Sequence, residues 1–164
     1  NSVRGQGNLA LNLFAQQSQL TDFSFVASEA GRRPVANRVQ PGKRPRSSMS
    51  PTLVFERGEG ALRLATGSPG GPHIIHYTAK ALLGTLAWGL TPQAAIDLPN
   101  FGSIGGPTIL EQGRFTAATV EALRSRGHVV EPAPLPSGVQ LLERRGGQLL
   151  GGSDPRREGA VRGE

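Results

Sequence analysis

The sequence predicts an α+β fold, a layered α/β/α sandwich in which strands and helices are grouped rather than alternated. Two observations lead there. Short apolar runs bounded by glycine, proline and polar turns recur from residue 52 to residue 152. Helical spacing replaces them at 72–89, in a short segment after Thr91-Pro92 and again at 116–126. No regular strand–helix–strand repeat links these segments, so a doubly wound parallel sheet is not the plan.

Residues 1–18 contain "NLALNLFA", which fits a strand or a short helix, and Gln19 to Ala27 alternates partly, as an edge strand would. The stretch 28–46 is rich in glycine, proline and asparagine and reads as a loop. Thr52 to Glu56 and Leu62 to Thr66 read as the two strands of a hairpin turned by "RGEG". The following helix carries Ile75, Ala79, Leu82, Leu83 and Leu86 near helical spacing, which predicts that the leucines face inward, and Gly89 stops it. Thr91 caps a second helix with proline at its first position. Thr108 to Glu111 is a strand. Thr116 to Arg126 is a helix with Val120 and Leu123 inward and Gly127 as its stop. "HVVE", "VQLLERR" and "QLLGG" are strands, the last two joined by Gly146-Gly147.

A chain of 164 residues suits a single domain, 1–164. Its 23 glycines and 13 prolines predict many specialised turns, while recurring apolar runs argue against disorder. There is no cysteine, which excludes disulfides, thiol catalysis and a zinc ribbon. No apolar run of membrane-spanning length occurs. The net charge is +6, and all of the 18 basic residues except Lys43 and Lys80 are arginine. These arginines are scattered and aromatic residues make up only 5% of the chain, so platforms for stacking bases are scarce and nucleic acid is not the expected partner.

Two short motifs carry chemistry. In "TGSPGGPHII" a strand runs into Gly70-Gly71 and then a helix. Such a turn offers backbone N–H groups to an anion or a developing oxyanion, and it also serves simply to turn the chain. In "PGKRPRSSMSPT" the adjacent hydroxyls of Ser47 and Ser48 lie between prolines, where they can hold a carboxylate or cap their own loop. Asp22, with Gln19 three residues before it, can hold an ammonium group or stand as an ordinary surface acid. His73 and His76 are spaced for one helix face but have no third ligand nearby, so no metal is expected. No cofactor fingerprint occurs.

In order along the chain, "QLTDFS", "PGKRPRSSMSPT", "GSPGG" followed by Ile-Ile, and "GGSDPRREG" resemble the small subunit of gamma-glutamyltranspeptidases over roughly residues 17–164; residues 1–16 match poorly. The resemblance implies an N-terminal nucleophile hydrolase fold, incomplete at its N-terminus. It implies acyl transfer from γ-glutamyl amides to water or to amino acids and peptides. The nucleophile is a threonine released by self-cleavage of a precursor, with its own α-amine as base. It implies that Gly70 and Gly71 form the oxyanion hole, that Ser47 and Ser48 hold the α-carboxylate, and that Gln19 and Asp22 hold the α-ammonium. The large subunit of the same precursor is the implied partner, and the periplasm or the outside of the cell the implied location. Gln17-Ser18 stand where the family usually shows paired asparagines. Position 1 is Asn rather than the threonine and the large subunit is a separate partner, so this chain alone is expected to be inactive. The alternatives are a glutaryl-type cephalosporin acylase and a non-catalytic γ-glutamyl-binding module.

Overall fold

The protein's structure is a computed structural model that describes residues 34–44, 46–58 and 60–163. It divides between Ser48 and Met49 into two compact units. Gln19 and Asp22, and the segments expected at 1–27, lie outside the described residues. The described part of the first unit is the loop that composition predicts. Lys43 Nζ donates to the Ala36 carbonyl at 2.6 Å, and the Arg46 N–H donates to Asn37 Oδ1 at 3.0 Å, which fixes the approach to Ser47 and Ser48.

In the second unit, a four-stranded antiparallel sheet has the order β1 (Thr52–Phe55), β2 (Leu62–Gly67), β6 (Gln140–Arg145), β7 (Gln148–Ser153). Gly146 and Gly147 both have positive φ, 57° and 80°, which a two-residue hairpin turn requires and glycine allows without strain. A smaller sheet has the order β3 (Phe101–Gly102), β4 (Thr108–Glu111), β5 (Val130–Ala133). Its β4–β5 pair is parallel, joined through helix α3 (Ala117–Ser125). The mixture of grouped strands and helices is the α+β plan the sequence predicts. Two details differ. β3 is too short for sequence periodicity to register. β5 begins two residues later than "HVVE", because Val130 is the residue that pairs with Thr108.

The core follows from register. Val54, Leu64 and Glu143 form one cross-strand row, and Thr66 pairs with Leu141 in the next. Leu64, Tyr77, Ala81, Ile96, Leu135, Val139 and Leu141 make one buried cluster above this face, with Val54, Leu82 and Ile109 at its edge. The opposite face carries the row Leu53–Ala65–Leu142–Gly151, and Leu53 on it is exposed.

Helix α1 (Ile74–Leu86) follows a short 3₁₀ turn (Gly71–His73), and its inward face corrects the sequence expectation. Ile74, Tyr77, Thr78, Lys80, Ala81, Gly84 and Thr85 are buried, while Ile75, Leu83 and Leu86 are 48%, 49% and 38% exposed. Of the expected leucines only Leu82 touches the core. The spacing of its large apolar residues points to the leucine face, but the buried face is the one that carries Ile74, Tyr77 and the small residues, with Thr78, Lys80 and Thr85 among them. Close packing decides it: a Cβ on Gly84 would lie 2.7 Å from Ala95 Cβ, so the small-residue face is the one that can meet helix α2 (Pro92–Asp97). The Thr91 hydroxyl caps α2 by accepting from the Ala94 N–H at 3.3 Å, as expected. On α3 no residue is fully buried, and Val120 and Leu123 are its least exposed positions.

A buried polar cluster joins these parts. Arg156 donates to both carboxylate oxygens of Glu111, at 2.6 and 2.8 Å, to Asp154 Oδ1 at 3.1 Å, and to the Ile96 and Leu98 carbonyls. Asp154 also accepts from Ser137 Oγ and, at 3.1 Å, from the Val139 N–H. Burial pushes the Asp154 pKa up, but the bonds from Ser137, Arg156 and Val139 outweigh it and hold the carboxyl below the usual range. Glu111 follows the same logic: burial raises its pKa, and the bonds from Arg156 and the Asn100 N–H bring it below normal. Lys80 Nζ, buried, donates to the same two carbonyls, Ile96 and Leu98, at 2.8 and 2.6 Å. Burial, and then the Arg156 charge, lower its pKa to about 8.

Two predictions follow from the packing and the charge. Leu141→Ala should destabilise the fold by about 2–5 kcal/mol, and Leu83→Ala by less than about 1 kcal/mol. Equal losses in denaturation midpoint would sink the assigned face of α1. For Lys80, the folded pKa of about 8 lies below the unfolded value of 10.5, so the unfolded chain binds more protons between those limits. Stability should therefore rise with pH through that window, by up to about 3 kcal/mol. Tyr77 acts in the opposite sense only above pH 10, where the unfolded phenol ionises and the buried one, raised to about 12, does not. The stability of the parent relative to Lys80→Met should thus climb between pH 8 and pH 10. A difference flat across that range would show that the folded Lys80 pKa is not lowered.

Candidate active site

Strand β2 ends at Gly67, and Ser68-Pro69-Gly70-Gly71 carries the chain into the 3₁₀ turn and α1. Gly70 has φ 136° and ψ 23°, and Gly71 has φ 58°, backbone conformations that side chains strain. A Cβ on Gly70 would lie 2.5 Å from Tyr77 Cε2, so the Tyr77 ring forms the floor of the turn. Gly71 is exposed, and a Cβ on it would meet nothing within 4 Å: its backbone faces open space. No acceptor among the described residues takes the N–H of either glycine. The turn therefore offers two adjacent donors at the start of a 13-residue helix, whose dipole adds positive potential there.

Ser47 is exposed and Ser48 half-buried, and both lie in chain without regular secondary structure at the end of the first unit. The loop before them is held by the Asn37 and Lys43 bonds already described, two residues to which sequence spacing does not point. The Asn37 bond runs to a backbone N–H nine residues on, beyond the local reach of an Asx turn, so no sequence signal marks it. Gln19 and Asp22 lie outside the described residues.

His73 and His76 do lie together, with ring centroids 5.9 Å apart. The Ser103 N–H donates to His76 Nε2 at 3.3 Å, and the His76 ring packs on Gly102, whose added Cβ would lie 2.6 Å from it. Burial, then the neighbouring His76, lower the His73 pKa. No group of three metal-ligating side chains occurs among the described residues. The histidines thus pack the root of α1 against β3. A shallow groove of about 340 Å³ is lined by Glu111, Gln112, Pro134, Leu135, Pro136 and Arg156. Its two charged groups neutralise each other, and none of its lining residues belongs to the glycine turn.

Comparison with known proteins bears on the family and the fold. Residues 14–164 match the family model described as Gamma-glutamyltranspeptidase. The chain is 34% identical over 161 residues to the glutathione hydrolase proenzyme of Escherichia coli K12, covering 94% of this chain and 26% of that protein. It therefore spans about a quarter of the length of that relative. A highly active mutant of the gamma-glutamyltranspeptidase from Pseudomonas nitroreducens superposes with a TM-score of 0.71 at 25% identity, over 90% of this chain and 79% of that one. The cephalosporin acylase of Bacillus halodurans shares the fold, with a TM-score of 0.67 at 24% identity over 90% of this chain and 28% of that one. The α+β fold expected from sequence is that of the solved gamma-glutamyltranspeptidases.

Proposed function

The chain belongs to the gamma-glutamyltranspeptidase family, and on that premise we propose that its protein transfers or hydrolyses γ-glutamyl groups. The observation that supports this reading is the pair of N–H groups at Gly70 and Gly71, unclaimed among the described residues, Gly70 seated on the Tyr77 ring and Gly71 exposed beside it. When a hydroxyl attacks the γ-carbonyl carbon, the carbonyl oxygen becomes an oxyanion. Two backbone N–H groups aimed at it stabilise it more than the ground-state carbonyl, which is what accelerates the step. The leaving amine departs, and water or an amino-acid amine attacks the acyl-enzyme in turn. The nucleophilic threonine and the large subunit belong to the rest of the protein.

In this reading Ser47 and Ser48 donate to the α-carboxylate of the γ-glutamyl group, held in place by the pinned loop before them. Gln19 and Asp22 hold the α-ammonium, Asp22 through a charge-assisted bond. No metal or cofactor enters the mechanism. The protein works in the periplasm or outside the cell; among the described residues no helix is long and apolar enough to cross a membrane.

A glutaryl-type acylase shares this fold and would use the same oxyanion turn. The two differ at one group, since a glutaryl chain has no α-ammonium. In the full-length protein, Asp22→Asn should lower kcat/KM for a γ-glutamyl anilide by about 10- to 200-fold, the worth of one charge-assisted hydrogen bond. The loss should nearly vanish for a glutaryl anilide. Gly71→Ala, which strains a left-handed backbone position at the oxyanion site, should reduce both alike. An Asp22→Asn loss equal on both substrates would remove Asp22 from the ammonium site. The 164-residue chain by itself should turn over neither anilide. Turnover by the purified chain, abolished by Ser48→Ala, would show the nucleophile to be misplaced.

A further inference from the structure

We propose that Ser68 is a positioning residue for the glycine turn, its hydroxyl tying Gly70 and Gly71 to the loop that Asp154 holds. The proposal rests on the reading of that turn as an oxyanion hole. The antiparallel pairing of β2 with β6 ends at Gly67 opposite Gln140. Continuing that register places Pro69 opposite Gly138, and proline has no N–H to extend the ladder. The side chain of Ser68 bridges the gap. Its Oγ accepts from the Gly138 N–H at 3.1 Å and donates to the Pro69 carbonyl at 2.7 Å.

Gly138 is itself fixed on both sides. Ser137 Oγ and the Val139 N–H both donate to Asp154 Oδ2, and the Asp154 N–H donates back to the Val139 carbonyl at 3.0 Å. Asp154 and Ser137 are completely buried. The loop also leaves no room beneath the turn, since a Cβ on Gly138 would lie 2.8 Å from Pro69 Cγ and 3.0 Å from Arg157 Cδ. Pro69 therefore rests on Gly138, and Gly70 rests on the Tyr77 ring. Those two contacts fix the height of the turn but not its position along the loop, because apolar contact is not directional. The Ser68–Gly138 hydrogen bond is the directional contact that sets it. Oxyanion donors lose effect steeply when misplaced by about 1 Å, so the hydroxyl bears on the rate without touching the substrate.

The test uses the full-length enzyme and a γ-glutamyl anilide, with isotope-labelled glycine amides observed by NMR. Ser68→Ala leaves the Gly138 N–H without its acceptor. It should lower kcat about 10-fold, less than the 10²- to 10³-fold cost of removing a donor outright, with KM within about twofold. The amide signals of Gly70 and Gly71 should shift, and Ser68→Thr, which keeps the hydroxyl, should restore both rate and signals. A kcat within twofold of the parent overturns the proposal whatever the signals do. So does a loss that Ser68→Thr fails to restore, since that assigns the effect to packing alone. If the parent enzyme turns over no γ-glutamyl substrate, the functional reading fails by itself. The Gly70 and Gly71 signals then decide the positioning role: unmoved signals in Ser68→Ala overturn it, and signals that move and are restored by Ser68→Thr sustain it.

Discussion

Asp154 is a carboxylate with no exposure to solvent, and the second unit is arranged around keeping it charged. A buried carboxylate without partners would take up a proton or unfold its surroundings. Here Ser137, Val139 and Arg156 supply the hydrogen bonds, and Arg156 brings Glu111 with it. Through these bonds the segment after β7 is fastened to the loop before β6, to the end of β4 and to the last turn of α2. Removing Arg156 would leave two buried carboxylates, Glu111 and Asp154, without their charge partner, which costs more than the pairs contribute. The cluster therefore specifies one arrangement of these segments more than it adds stability.

The end of α2 shows the same logic from the opposite charge. Lys80 and Arg156 both donate to the Ile96 and Leu98 carbonyls, and Arg114 donates to the Asp97 carbonyl at 2.6 Å. Three cations at one helix C-terminus satisfy carbonyls that the helix leaves unpaired and meet its negative dipole end. The cation–cation cost falls on Lys80, the one of the three whose protonation can adjust. Away from this hub, Glu143 is buried on the core face of β6 and paired with Arg145 at 2.9 Å. Arg145 in turn donates to the Gly89 and Leu90 carbonyls, which fastens the α1–α2 connection to the sheet.

The glycine turn inherits its rigidity from this frame. Its conformation is local, set by glycines that accept left-handed backbone angles. Its position is not local: it depends on the Tyr77 ring seven residues on and on Gly138, 70 residues from Ser68. A site whose donors must not reorganise during reaction is well served by such an arrangement. The glycine turn sits at a strand end, and the order around it is provided by the buried charges of the Asp154 cluster.

Local chemistry made much of this legible in the sequence. The hairpin strands, the threonine cap with proline at the start of α2, the Gly146-Gly147 turn and the glycine pair at the root of α1 each follow from neighbouring residues. Each feature is set by backbone sterics or a hydrogen bond within a few positions. The four ordered motifs also placed the chain in its family. The rotation of α1 was not legible, because the spacing of its large apolar residues points to the leucine face; the contact between Gly84 and Ala95 chose the face with small side chains instead, Thr78, Lys80 and Thr85 included. Nor was the Asp154 cluster, whose members at 80, 100, 111, 137 and 156 are far apart in sequence. Lys80 in the middle of an apolar helix was its one visible sign. A buried charge is tolerated only where partners converge, and convergence of distant residues is decided by tertiary packing.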